Sequence, residues 1–131
     1  MMLPVITIPF LLIGAAACQS HPASTADESA VLAYADPATD MTLQGLSENN
    51  LEKYTQYGNE EFKAAIDREV FDNLAAQING QLGTYESKQF VKIEEQQGYT
   101  SVHYKARFSK GEVGVRMVFD KDQQVAGQWF E

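Results

Sequence analysis

One cysteine, two histidines and eighteen carboxylates are the side chains of this chain best suited to chemistry. Cys18 is the single thiol and closes the apolar stretch LLIGAAACQS. A lone cysteine can act as a nucleophile, fill a core or serve as a covalent attachment point; it excludes internal disulfides and CxxC redox or metal motifs. Cys18 precedes a polar stretch, QSHPASTADES, that holds nothing to lower a thiol pKa, so a nucleophilic role is not expected. His21 lies in that stretch, where a solvated side chain is the default, and His103 lies far along the chain. Their separation lacks metal-ligand spacing, so neither a metal nor a cofactor is expected. Acid–base catalysis needs a carboxylate or imidazole in an apolar pocket beside hydroxyl donors. Alternation sets His103 on the opposite side of its strand from Tyr104 and Phe108. The acids cluster on helix surfaces and turns, and Glu94 is the one strand-interior acid that invites the question. The expectation is a protein that is not an enzyme.

The thiol makes most sense through what precedes it. The first 17 residues carry no charged side chain and end in Gly14-Ala15-Ala16-Ala17. Met2–Ala17 would span about 24 Å as a helix, short of the roughly 30 Å hydrocarbon core, so the run fits a signal peptide better than a membrane span. Small residues ahead of a cysteine resemble a bacterial lipoprotein signal. That resemblance implies cleavage between Ala17 and Cys18, a diacylglycerol thioether on Cys18 and an amide-linked acyl chain, enough for stable anchoring. Two features depart from the pattern: Ala15 stands where leucine is usual, and no Lys or Arg precedes the run. A plain secretory signal or an uncleaved anchor are the other readings. The expected organisation is a signal peptide over 1–17, a lipidated flexible tether over 18–29 and one domain over 30–131. Its place is the cell envelope, on the extracytoplasmic side of a membrane, and Gln19 resembles outer-membrane sorting if the cell is Gram-negative.

Two periods divide the domain. Asp36 and Pro37 offer a helix start, with Leu43 and Leu46 on its apolar side. Leu51, Tyr54 and Tyr57 share a face before Gly58, and Phe62 and Ile66 mark another short helix. DREVFDNLAAQINGQLG predicts the strongest helix: Asp67 caps it, Phe71, Leu74, Ala75, Ile78 and Leu82 form its stripe, and Gly83 ends it. From Thr84 the period becomes two. TYESKQFVKIEEQ predicts a strand with a bulge, because Phe90 and Val91 are adjacent. Val102, Tyr104, Ala106 and Phe108 then share one face, as do Val113, Val115, Met117 and Phe119, and VAGQWFE closes the chain. Four strands joined by tight turns predict an antiparallel meander, and helices followed by strands predict an α+β domain with helices packed on one sheet face.

The net charge of −8 argues against nucleic acid as a partner. Residues 27–83 hold eleven acids against three bases, and residues 84–131 hold seven of each. The segments YADPATDMTLQGLSENN, YESKQFVKIEEQQGYTSVHYKARFSK and VRMVFDKDQQVAGQWF resemble, as an ordered set, a small prokaryotic domain of unknown function, number 3887. Its members resemble the nuclear transport factor 2-like, cystatin-like superfamily. The resemblance implies a curved four-stranded antiparallel sheet wrapped around helices as a cone, with a mouth that often forms a pocket and an outer face that often pairs two subunits. Some relatives are fused to an α/β-hydrolase; this chain has no Gly-x-Ser-x-Gly elbow, so that activity does not carry over.

Three functions follow as expectations. In the first, a membrane-tethered module holds a small apolar ligand or contacts an envelope protein, with Tyr54, Tyr57, Phe62, Phe90, Tyr104, Phe108 and Trp129 as pocket candidates, although core is the better reading for most of them. In the second, the domain is a homodimeric scaffold using the sheet's other face, with His103, Arg107, Arg116, Val118 and Phe130 as interface candidates. The third is a small acid–base enzyme of the ketosteroid isomerase kind, and it is the least supported.

Overall fold

Helical periodicity builds the longest element. In the computed structural model, which describes residues 21–22 and 25–131, α1 runs over Thr25–Ser47 as one 23-residue helix. Its buried positions Val31, Ala35, Ala38, Thr39, Thr42, Leu43 and Leu46 recur at helical steps and line one face. The start expected at Asp36–Pro37 is corrected: Pro37 lies inside the helix, and Asp36 is not its cap. An interior proline costs about 3 kcal/mol and one backbone hydrogen bond. The apolar stripe runs through it from both sides, and burying such side chains returns about 1.5–3 kcal/mol each. The helix also takes in residues assigned to the end of the tether. The leader, Ala17 and Cys18 lie outside the described residues. Among the described residues, no helix is long and apolar enough to cross a membrane.

Three short helices follow, each opened by an Asn or Asp whose side chain accepts a backbone N–H. Asn50 accepts from Lys53 at the head of α2 (Leu51–Tyr54), and Asn59 accepts from Phe62 at the head of α3 (Glu60–Ala65). Asp67 accepts from Val70 at 2.9 Å and opens α4, Arg68–Gln81. Gly83, at φ +85°, ends the helix by donating its N–H to the Ile78 and Asn79 carbonyls.

The strands are β1 (His21–Pro22), β2 (Tyr85–Gln96), β3 (Tyr99–Phe108), β4 (Gly111–Phe119) and β5 (Val125–Phe130), paired antiparallel in the order β1–β2–β3–β4–β5. The architecture is α+β, helices followed by an open four-stranded antiparallel meander, with β1 added along part of the β2 edge. Gln97 and Gly98, both at positive φ, make the two-residue turn from β2 to β3. The expected bulge is present: the register slips between Phe90 and Lys92, leaving Val91 exposed. Ile93, Val102, Tyr104, Ala106, Phe108, Val115, Met117 and Phe119 bury one sheet face against α1, α2 and α4, where Leu43, Leu46, Tyr54, Phe71 and Ile78 meet them.

The last strand departs from expectation. Plain alternation from Val125 sends Trp129 inward and Phe130 outward. Another bulge, between Val118 and Phe119 on the β4 side, puts Phe119 opposite Val125 and Val118 opposite Gly127. Ala126 is the extra residue, and one extra residue reverses every side chain beyond it. Trp129 therefore stands opposite Arg116 on the outer face, and Phe130 opposite Val115 packs against the core.

Candidate functional site

The two sheet faces hold different chemistry. On the inner face, α1 presents Asp36 and Asp40 one turn apart, toward side chains of β2 and β3. The Tyr104 hydroxyl donates to Asp36 Oδ1 at 2.8 Å, and the Tyr85 hydroxyl donates to Asp40 Oδ1 at 2.7 Å. Lys88 Nζ reaches the same Asp40 oxygen at 2.8 Å and lies 5.5 Å from the centre of the Tyr104 ring. Burial raises the pKa of both tyrosines, and the carboxylates they donate to push it further; Thr39 beside Tyr104 works the other way. These residues clasp the first helix onto the sheet. An acid–base site of the isomerase kind needs a free hydroxyl to meet developing negative charge and a carboxylate free to take a proton. Here both hydroxyls are spent on the two carboxylates.

The expected pocket residues separate. Tyr54, Phe62, Tyr104 and Phe108 are buried and Phe90 is half-buried. Their rings pack on one another and on neighbours: Tyr54–Phe62 at 5.7 Å, Tyr54–Phe71 at 5.3 Å and Phe90–Tyr104 at 6.5 Å between centroids. The Tyr54 hydroxyl, its pKa raised by burial, donates to Gln128 at 2.7 Å. Tyr57 is 41% exposed ahead of α3, and Trp129 is on the other face. Two adjoining surface hollows of about 340 and 280 Å³ lie instead at the β2–β3 and β4–β5 turns, lined by Gln97, Gly98, Tyr99 and, in the second, Asp120, Lys121 and Asp122.

The outer face gathers His103, Arg107, Arg116 and Val118 as expected; Phe130 is replaced there by Trp129. His103 Nε2 lies 3.1 Å from Glu94 Oε1, and its Nδ1 lies 3.5 Å from Glu131 Oε1. Glu94 thus faces outward, opposite Ser101, in a register fixed by the Phe90–Lys92 slip. Arg116 Nε stands 3.1 Å from Glu131 Oε2, with its N–H not aimed at that oxygen. Its guanidinium carbon is 4.4 Å from the Trp129 ring centre. The indole lies across Gly127, where any Cβ would collide with the ring. Arg107 pairs with Glu112 at 3.0 Å. Sequence reasoning had the charged members of this face and missed its tryptophan. Gly127 was the available signal, because a lone glycine inside a strand often marks a bulge or a close approach.

Among the described residues, no group of three or more His, Cys, Asp or Glu side chains is placed to hold a metal. No curated protein matches the chain. The family model described as "Protein of unknown function (DUF3887)" matches residues 40–127, from the last turns of α1 through the β5 bulge. With two thirds of its length matched, and with the helices and meander it spans now described, this chain belongs to the DUF3887 family of proteins of unknown function.

Proposed function

We propose that this chain is an envelope lipoprotein, anchored through Cys18 on the extracytoplasmic side of a membrane, whose domain is a non-catalytic module that binds protein through its outer sheet face. The anchor rests on the uncharged leader and the small residues before Cys18. Trp129 carries the interaction reading: it is 47% exposed, it is stacked by Arg116 and it lies close across Gly127. Tryptophan and arginine are the residues most enriched at the centres of binding surfaces, and plain solvated sheet faces seldom hold them together. The inner face supports the non-catalytic half, since its aromatic rings fill the core and its tyrosine hydroxyls are committed to Asp36 and Asp40. A nuclear transport factor 2-like cone is compatible with this order of helices and strands; in this reading its interior is packed core and holds no ligand.

The first partner to test is a second copy. The outer face sets Lys105, Arg107 and Arg116 among Glu86, Glu94, Glu112 and Glu131, and a two-fold axis can interleave such charges. Native mass spectrometry of residues 19–131 tests it. A dimer that Trp129→Glu returns to monomer is the expected result. A monomer throughout would exclude self-pairing, and a reproducible small-molecule mass on the wild type would overturn the filled-core reading. In cells, Cys18→Ser should leave the membrane fraction; unchanged retention and processing would refute the lipid anchor.

A further inference from the structure

The direction in which the chain joins the sheet fixes which end of the domain meets the membrane. β1 pairs antiparallel with β2, His21 opposite Glu95 and Pro22 opposite Glu94. Moving upstream from Pro22 to His21 is therefore moving along β2 toward its last residue, Gln96. The chain joins the sheet from the end that carries the β2–β3 turn, Gln97–Gly98. The β4–β5 turn lies at that same end, because Thr100 pairs with Phe119. The β3–β4 turn, Ser109–Lys110, lies at the far end with Gly83. Twelve residues of β2 separate the two ends by about 40 Å at ordinary strand rise. Cys18 is three residues before His21, so at most about 11 Å of chain can separate them.

We propose that the β2–β3 and β4–β5 turns rest against the phospholipid headgroups of the anchoring membrane, with the strands standing away from it. The inference rests on the lipid anchor at Cys18. A three-residue leash keeps the near end within about 11 Å of the bilayer while β1 stays paired, whereas the β3–β4 turn, about 40 Å further along the strands, meets the bilayer only if the whole domain lies down on it. The near end also has a suitable surface. Tyr99 is 46% exposed there, and an aromatic ring with a polar tip suits the headgroup layer. Glu95, Asp120, Lys121 and Asp122 beside it hold the contact at headgroup depth and out of the hydrocarbon. In this posture the outer face with Trp129 stands side-on to the membrane, reachable by a neighbour anchored in the same leaflet.

The test uses the full lipoprotein, purified with its own acylation and reconstituted in phosphatidylcholine vesicles. Gln96→Cys and, as a second near-end site, Lys121→Cys are compared with Lys110→Cys at the far end, each carrying a thiol-reactive fluorophore. All three positions are exposed. Phosphatidylcholine spin-labelled in the headgroup should quench either near-end label at least threefold more than the label at 110. Equal quenching, or stronger quenching at 110, on protein whose mass includes the acyl chains would overturn the orientation and leave the anchor standing. A wild-type protein that lacks the acyl mass and takes up the fluorophore at Cys18 would overturn the anchor and the orientation with it.

Discussion

Removing one oxygen atom tests whether the clasp between α1 and the sheet is structural. Tyr104 is 2% exposed, so Tyr104→Phe keeps the buried ring, opens no cavity and deletes only the hydroxyl that donates to Asp36 at 2.8 Å. A hydrogen bond to a charged group is worth about 1.5–3 kcal/mol. Asp36 is half-buried, so water can reach the carboxylate once the hydroxyl is gone, and the low end applies: about 1.5 kcal/mol. Urea denaturation at pH 7 should show that loss with an unchanged m-value, and Tm should fall by about 6 °C. Tyr85→Phe should cost less, about 0.5 kcal/mol, because Asp40 keeps Lys88. The pH dependence follows from the raised Tyr104 pKa, which burial causes first and Asp36 second. The folded value lies above the unfolded one, near 10. Its stabilisation is therefore complete below about pH 10 and is lost as the pH rises through the folded value. The gap between wild type and Tyr104→Phe should hold steady in neutral solution and narrow above about pH 10. In a double-mutant cycle with Asp36→Ala the pair should couple by about 1 kcal/mol. A loss under about 0.3 kcal/mol, or a gap that does not narrow in alkali, would refute the clasp.

Two further substitutions probe local structure. In dilute solution Phe130→Ala should cost about 2 kcal/mol by urea denaturation and Trp129→Ala about 1 kcal/mol, because the β5 bulge turns Phe130 onto the core and leaves the indole half in solvent; the reverse order would refute the bulge-set register. Asp67→Ala should cost about 1 kcal/mol in thermal melts through loss of the α4 cap, and Asp67→Asn should restore most of it.

Where one residue decides local geometry, the sequence was enough. Asp67 and Gly83 bound α4 because a cap oxygen and a left-handed closing residue are local requirements. Adjacent Phe90 and Val91 announced the β2 bulge because two large apolar residues in a row break the period of two. Val102 through Phe108 alternated and are buried as read. The failures share a different cause. Pro37 argued for a helix start by a local rule, and the continuous stripe from Val31 to Leu46 overrode it through tertiary burial. Ala126 itself does not look like an extra residue, and the neighbouring Gly127 marks a bulge without saying which residue is unpaired, so Trp129 and Phe130 exchanged faces. The clasp was illegible for the same reason: Asp36 and Asp40 are 45 to 68 residues from the hydroxyls that bind them, and only docking of α1 on β2 and β3 unites them.

Charge then argues for which surface is free to associate. The whole excess of eight negative charges sits in residues 27–83, and residues 84–131 balance. Two copies approaching helix to helix would bring like charges together, a repulsion that physiological salt screens beyond about 8 Å but does not cancel at contact. Sheet to sheet, no net charge opposes them, and Arg107 and Arg116 already sit beside Glu112 and Glu131, which a neighbour's cations could share. The only tryptophan stands among these pairs. Like charge thus opposes helix-to-helix approach and leaves the face that presents Trp129 unopposed, and under the proposed anchoring a tether holding the strands upright would turn that face along the membrane, toward other anchored chains.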